Sequence, residues 1–185
     1  EYRKRGKSVG VIAVDPTSPF SGGALLSDRI RMQEHSIDKG VFIRSMGTRG
    51  SLGGLAKAAN DAIKILDAFG KQIILVETVG VGQAEVEIAK SAHTTVVVEV
   101  PGLGDDIQAI KAGILEIGDI FVINKADRDD SDKLASELEM MLELGQTMRR
   151  NENAWRPVII KTIAKDNIGI IELVDVLQKH FDYLK

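Results

Sequence analysis

Phe121-Val122-Ile123-Asn124-Lys125-Ala126-Asp127 is an apolar run that ends in Asn-Lys-x-Asp. The apolar half reads as a buried strand, and the polar half as the loop at its tip. An Asp at the last position can accept both the N1–H and the N2 amino hydrogens of guanine, a charge-assisted pair that adenine cannot offer. Adenine would leave that carboxylate buried and unpaired, and sites built for a hydrogen-bonded partner reject analogues lacking it by as much as ~10⁴-fold. Asp127 is therefore expected to decide GTP over ATP. Asn124 is expected to support the purine edge and orient the loop, with the Lys125 stem along the base face and its ammonium in water. The competing reading is an ordinary polar turn after a strand, because a four-residue pattern also recurs by chance. The segments around it decide between the two.

The chain has 185 residues, enough for one domain with a sizeable core. Hydrophobic residues make up 44% and charged residues 28%, the balance of a globular protein. No apolar run approaches the ~20 residues a membrane span needs, and Glu1-Tyr2-Arg3-Lys4-Arg5 lacks the apolar stretch of a signal peptide, so a cytoplasmic location without membrane contact is expected. The absence of cysteine removes disulfides, thiolate metal sites and thiol nucleophiles. A formal charge of −3 offers nothing to attract nucleic acid, and the basic run at residues 3–7 reads as a solvated helix end.

Short β-branched runs alternate with helical periodicity, the pattern of a parallel sheet covered on both faces. Strands are expected near 9–14, 41–44, 72–77, 94–99, 119–123 and 158–162, and helices near 24–36, 54–69, 84–92, 106–116, 131–149 and 169–183. In the second helix, positions 55, 58, 59, 62, 65 and 66 share one apolar face that should cover the sheet. Gly-rich loops at 15–23 and 45–54 follow strands, where α/β sheets bind their ligands.

Ile73-Ile74-Leu75-Val76-Glu77-Thr78-Val79-Gly80 delivers an acid at a strand tip and a glycine three residues later. Glu77 there suits Mg²⁺, directly or through water, and Gly80 lets a backbone N–H approach a terminal phosphate. Gln83 follows, either orienting an attacking water or simply facing solvent. Asp15 closes the first strand before Pro16; it either joins the metal network or caps an Asx turn. Asp28, by sequence alone, is a surface helix carboxylate. The loop Gly102-Leu103-Gly104-Asp105-Asp106-Ile107-Gln108 either moves with nucleotide state or supplies a helix cap through Asp105. Lys161-Thr162-Ile163-Ala164-Lys165 lies at the end of the last strand, where such domains often give backbone contacts to the base, and Thr162, Ile163 and Ala164 are its candidates. Gly6-Lys7-Ser8 imitates the end of a phosphate loop, but Glu1 stands where the pattern needs glycine and a strand, not a helix, begins at Val9.

Together with Val14-Asp15-Pro16-Thr17-Ser18-Pro19-Phe20-Ser21-Gly22-Gly23, Arg44-Ser45-Met46-Gly47-Thr48-Arg49-Gly50-Ser51-Leu52-Gly53-Gly54 and Glu77-Thr78-Val79-Gly80-Val81-Gly82-Gln83, the Asn124-Lys125-Ala126-Asp127 loop resembles the MeaB/ArgK family of P-loop GTPases over nearly the whole chain. The resemblance implies an α/β, mostly parallel sheet with helices on both faces, a SIMIBI-type G domain incomplete at its N-terminus. It implies a GTPase using GTP/GDP and Mg²⁺, with Asp15, Asp28 and Glu77 as magnesium-side carboxylates and the 102–108 loop as a third switch; Gly80 and Gln83 of the strand-tip motif remain the candidates for the catalytic end. The implied role is a chaperone of adenosylcobalamin-dependent methylmalonyl-CoA mutase, acting in cofactor loading and protection, and homodimeric when full-length. An older family label is a transport-system ATPase or kinase for basic amino acids. The family's phosphate loop should precede this segment and its dimerisation arm should follow it, so residues 1–185 are expected to be a single partial G domain, poorly stable and inactive alone. A non-catalytic binding fragment and a metal-delivery GTPase are the other readings. The second is disfavoured because His35, His93 and His180 lack ligand spacing.

Overall fold

The computed structural model describes residues 1–15, 32, 35, 37–47, 52–78, 83–102, 116–146 and 154–185. These fall into two compact units, Glu1–Ser91 and Ala92–Lys185, each built on its own three-stranded parallel sheet. The expected helices at 24–36 and 106–116 lie outside the described residues except at Met32, His35 and Glu116, as do most of the loops at 15–23 and 102–108; of the loop expected at 45–54, residues 45–47 are strand and 52–54 helix, and only 48–51 lie outside the described residues.

In the first unit, β1 (Val9–Asp15) is flanked by β2 (Val41–Gly47) and β3 (Ile73–Thr78). The helices are α1 (Leu52–Ala68) and α2 (Gln83–Ala89). Strand β2 runs three residues past its expected end, because the ladder with β1 continues to Asp15 opposite Gly47. The core joins Ile12 and Val14 of β1 to Ala59 and Leu66 of α1 and Ile88 of α2. Gly10 allows the close approach of that helix, since a Cβ there would meet Leu66 Cδ1 at 2.8 Å.

The apolar face of α1 is narrower than its composition implies. Ala59, Ala62, Ile63 and Leu66 pack inward, whereas Ala58 is exposed and Ile65 is 57% exposed. At about 100° per residue, positions 58 and 65 stand roughly a quarter-turn from the centre of the 59/62/63/66 stripe, beyond the reach of the sheet.

The basic run near the start is likewise not a helix end. Residues 2–6 form hydrogen-bonded turns, with Lys7 N–H donating to the Tyr2 carbonyl, because the chain must enter β1 two residues later. Arg3 is not merely solvated: its Nε and a terminal nitrogen reach Asp38 at 2.7 and 3.0 Å. The Arg3 hydrogen bond, followed by that from the Gly40 N–H, holds the Asp38 carboxyl below the usual carboxylate range.

In the second unit, β5 (Ile120–Asn124) lies between β4 (Val96–Glu99) and β6 (Val158–Thr162). Side chains alternate along β5 and each face has its own helix. Phe121 and Ile123 pack on Leu134, Ala135 and Leu138 of α3 (Ser131–Gln146), whose spacing puts these three on one face. Ile120 and Val122 meet Leu173, Val176 and Leu177 of α4 (Ile170–Tyr183). Both faces of β5 are therefore dry, which is why its sequence is apolar without alternation.

Strand β4 begins two residues later than expected because Thr94 and Thr95 serve other partners. The Thr95 N–H donates to Asp119 Oδ2 at 2.8 Å, and Thr94 Oγ1 shares a 2.8 Å hydrogen bond with Nδ1 of His180. His180 is 2% exposed, lies 4.6 Å from the Trp155 ring centre, and pins α4 to the base of the sheet. It is a satisfied core histidine.

Candidate functional site

The tips of β5 and β6 carry a pocket of about 390 Å³ lined by Asn124, Lys125, Asp127, Arg128, Ile163, Ala164 and Lys165. That volume suits a small ligand. Three local features build it. Lys125 takes the left-handed conformation (φ 57°), which costs a non-glycine residue about 1 kcal/mol and turns the chain sharply out of β5. The Ala126 N–H then donates to the Thr162 carbonyl at 3.0 Å, anchoring the turn on the neighbouring strand. After β6, Ile163 and Ile168 exchange two backbone hydrogen bonds around a short 3₁₀ turn, Ala164–Asp166, which closes with Asn167 in the left-handed region.

Asn124 binds the two loops together. Its Oδ1 accepts from the Thr162 hydroxyl at 3.2 Å and from the Ala164 N–H at 3.1 Å, so its remaining polar group is the amide NH₂, a donor. Thr162, 1% exposed, sits beneath the pocket and reaches it through Asn124. Replacing Asn124 with Ala removes an acceptor from a buried hydroxyl and a backbone N–H, and is expected to cost about 1–2 kcal/mol in urea unfolding. An unchanged midpoint would show that the two loops hold each other without it.

Asp127 is the acidic group of the site. Lys165 Nζ donates to its Oδ2 at 3.1 Å. That hydrogen bond first, then the backbone N–H of Asp127 itself, holds the carboxyl below its ordinary range, so it is an acceptor only at neutral pH. Asp127 in turn raises the Lys165 ammonium above the usual lysine range. Behind the turn, Lys161 Nζ pairs with Asp132 Oδ1 in the first turn of α3. Arg128 donates to the Pro101 carbonyl at 3.3 Å, tying the pocket to the end of the β4 segment. A fixed carboxylate acceptor, an amide donor and an apolar stem converge on one opening, the equipment for reading a flat hydrogen-bonding ring.

The family profile described as methylmalonyl Co-A mutase-associated GTPase MeaB matches residues 1–185. The chain belongs to the MeaB family. A putative GTPase of Pyrococcus abyssi is 62% identical over the whole chain, which spans 57% of that relative's length. The mouse methylmalonic aciduria type A homolog, a mitochondrial protein, is 40% identical over 179 residues, covering 95% of this chain and 42% of the mouse protein. Among solved structures, that of a LAO/AO transport system kinase covers 98% of the chain and 52% of its own, with 27% identity and a TM-score of 0.71. The chain thus spans about half the length of the relatives it matches, and the fold of parallel sheets flanked by helices is that of P-loop GTPases.

Within this MeaB-family chain the six expected base-side residues, Asn124, Lys125, Asp127, Thr162, Ile163 and Ala164, come together at one end of the second unit. The expected metal and phosphate residues belong to the first. Asp15 ends β1, and Glu77 lies on the adjacent β3 in register with Ala13, so both occupy carboxyl ends of neighbouring strands. Gln83 opens α2. Asp28 and Gly80 lie outside the described residues. Sequence reasoning did not assign Arg128 and Lys165. Lys165 belongs to the segment after β6 that drew attention, but nothing in its spacing shows that it meets a carboxylate 38 positions away.

Proposed function

We propose that the protein of which this chain is part binds and hydrolyses GTP, and uses that cycle as a chaperone of adenosylcobalamin-dependent methylmalonyl-CoA mutase. The observation that carries the nucleotide half is the Asp127 carboxylate, held ionised in the lining of a pocket that Asn124 and Lys125 also line. Guanine offers two adjacent donors to such a group and adenine does not. The family's description as methylmalonyl Co-A mutase-associated, and the mouse relative's name as a methylmalonic aciduria type A homolog, support the mutase half.

Residues 1–185 are part of a single G domain, homodimeric in the full-length protein and cytoplasmic; no described helix is long and apolar enough to cross a membrane. Carboxylates suit a hard cation such as Mg²⁺, and the backbone places residues 15 and 77 at the carboxyl ends of adjacent strands. Mg²⁺ held there with Asp28 would neutralise phosphate charge. In this reading Gly80 offers a backbone N–H toward the terminal phosphate, and Gln83 orients the attacking water.

The test is GTP turnover by the full-length protein with and without purified mutase. The expected result is GTP use in preference to ATP and a rate altered by the mutase. If the mutase changes neither nucleotide affinity nor hydrolysis, the chaperone role is wrong while the GTPase reading stands.

A further inference from the structure

The guanine-reading carboxylate already has a partner. Lys165 Nζ lies 3.1 Å from Asp127 Oδ2, and the same ammonium is 4.0 Å from Asp166 Oδ2. The backbone that launches Lys165 is fixed: Ala164 is tied to Asn124, the Asp166 N–H donates to the Ile163 carbonyl at 3.0 Å, and the Asn167 N–H to the Ala164 carbonyl. Its ammonium is not, because the Lys165 and Asp127 side chains are 69% and 42% exposed. An exposed pair of this kind is weak and easily exchanged.

We propose that Lys165 is a specificity-determining residue of the base pocket: its ammonium occupies the Asp127 carboxylate in the empty site and yields it only to a purine presenting two donors. The proposal rests on the reading of this pocket as a guanine site. Guanine presents N1–H and the N2 amino group together, claims both carboxylate oxygens, and sends the ammonium toward Asp166. Hypoxanthine presents N1–H alone. It needs one oxygen, and Lys165 keeps the other. Lys165 therefore opposes guanine slightly and cushions the loss of the N2 amino group, so that the pocket discriminates between GDP and IDP less sharply than Asp127 alone would.

The experiment is calorimetric titration of the full-length protein, its Lys165→Met variant and its Lys165→Arg variant with GDP and with IDP. Removing the ammonium should tighten GDP by about 2–5-fold, the range for an exposed ion pair, and leave IDP unchanged, raising the GDP/IDP ratio by the same factor. Lys165→Arg should keep the original ratio. The difference between the Met variant and the parent should shrink as salt rises, since an exposed pair is screened. Weaker GDP binding by Lys165→Met, or an unchanged GDP/IDP ratio, overturns the proposal. Asp127→Asn, titrated alongside, separates the two readings: if it loses guanine preference while Lys165→Met changes nothing, the guanine site stands and the lysine's role falls.

Discussion

Replacing Asp127 with Asn is expected to weaken GDP binding by on the order of 10³-fold and to confer binding of xanthosine diphosphate. The carboxylate of Asp127 has only acceptors, and guanine meets it with only donors. An Asn side chain keeps one acceptor, which still takes the N1–H, but turns an NH₂ toward the N2 amino group. Two donors then face each other across the bound base, and the cost of an unmade hydrogen bond appears. Xanthine carries a carbonyl at that position and restores the match. The backbone should be unaffected, because Asn124, Ala126 and Thr162 hold the loop without the Asp127 side chain. Competition binding with GDP, XDP and ADP reads the change directly. Should GDP remain preferred in the variant, Asp127 is not the group that recognises the base.

The second large effect is on stability. Gly169, at φ 74°, begins α4, and a Cβ there would collide with the Lys161 carbonyl oxygen and lie 3.2 Å from Thr162 Cα. Both obstacles are backbone or close to it, so they cannot rotate away. Alanine pays about 1–2 kcal/mol for the left-handed conformation and more for the collision, and Gly169→Ala is expected to cost about 3–4 kcal/mol in total. For a chain of this size that lowers the thermal midpoint by about 6–15 °C. Any relief moves the end of β6, where Thr162 supports Asn124, so nucleotide affinity should fall as well. Gly145→Ala is the control: a Cβ on this α3 residue meets nothing within 4 Å, and alanine favours helix, so it should be neutral or slightly stabilising. Equal midpoints for the two variants would mean that α4 starts elsewhere when the site chain is free to adjust.

The strands were legible because parallel strands covered on both sides are written as β-branched runs with few competing patterns. Ile120–Asn124 and Val158–Thr162 follow directly from such runs. Among the described residues the helices at 52–68, 83–89, 131–146 and 170–183 were legible from their periodicity, while helix orientation was less so: the composition of α1 admits Ile65 to the apolar face and the sheet does not. Expectations for Asp28 and Gly80 fall on residues outside the description, and Glu77 and Asp15 are located by strand register alone.

The sequence by itself determined the parallel α/β architecture and the Asn124-Lys125-Ala126-Asp127 loop, because burial on two faces and the order of donors and acceptors along a loop are both local properties of residue type and order. What only the tertiary structure decided is how that loop is held and what competes for it. Asn124 spends its carbonyl on Thr162 and Ala164, and Asp127 rests against Lys165, contacts that join positions about 40 residues apart. They exist because β5 and β6 are paired in register and Gly169 turns the chain back beneath them. No periodicity encodes such contacts; they appear when two strand tips are brought to the same edge of a sheet.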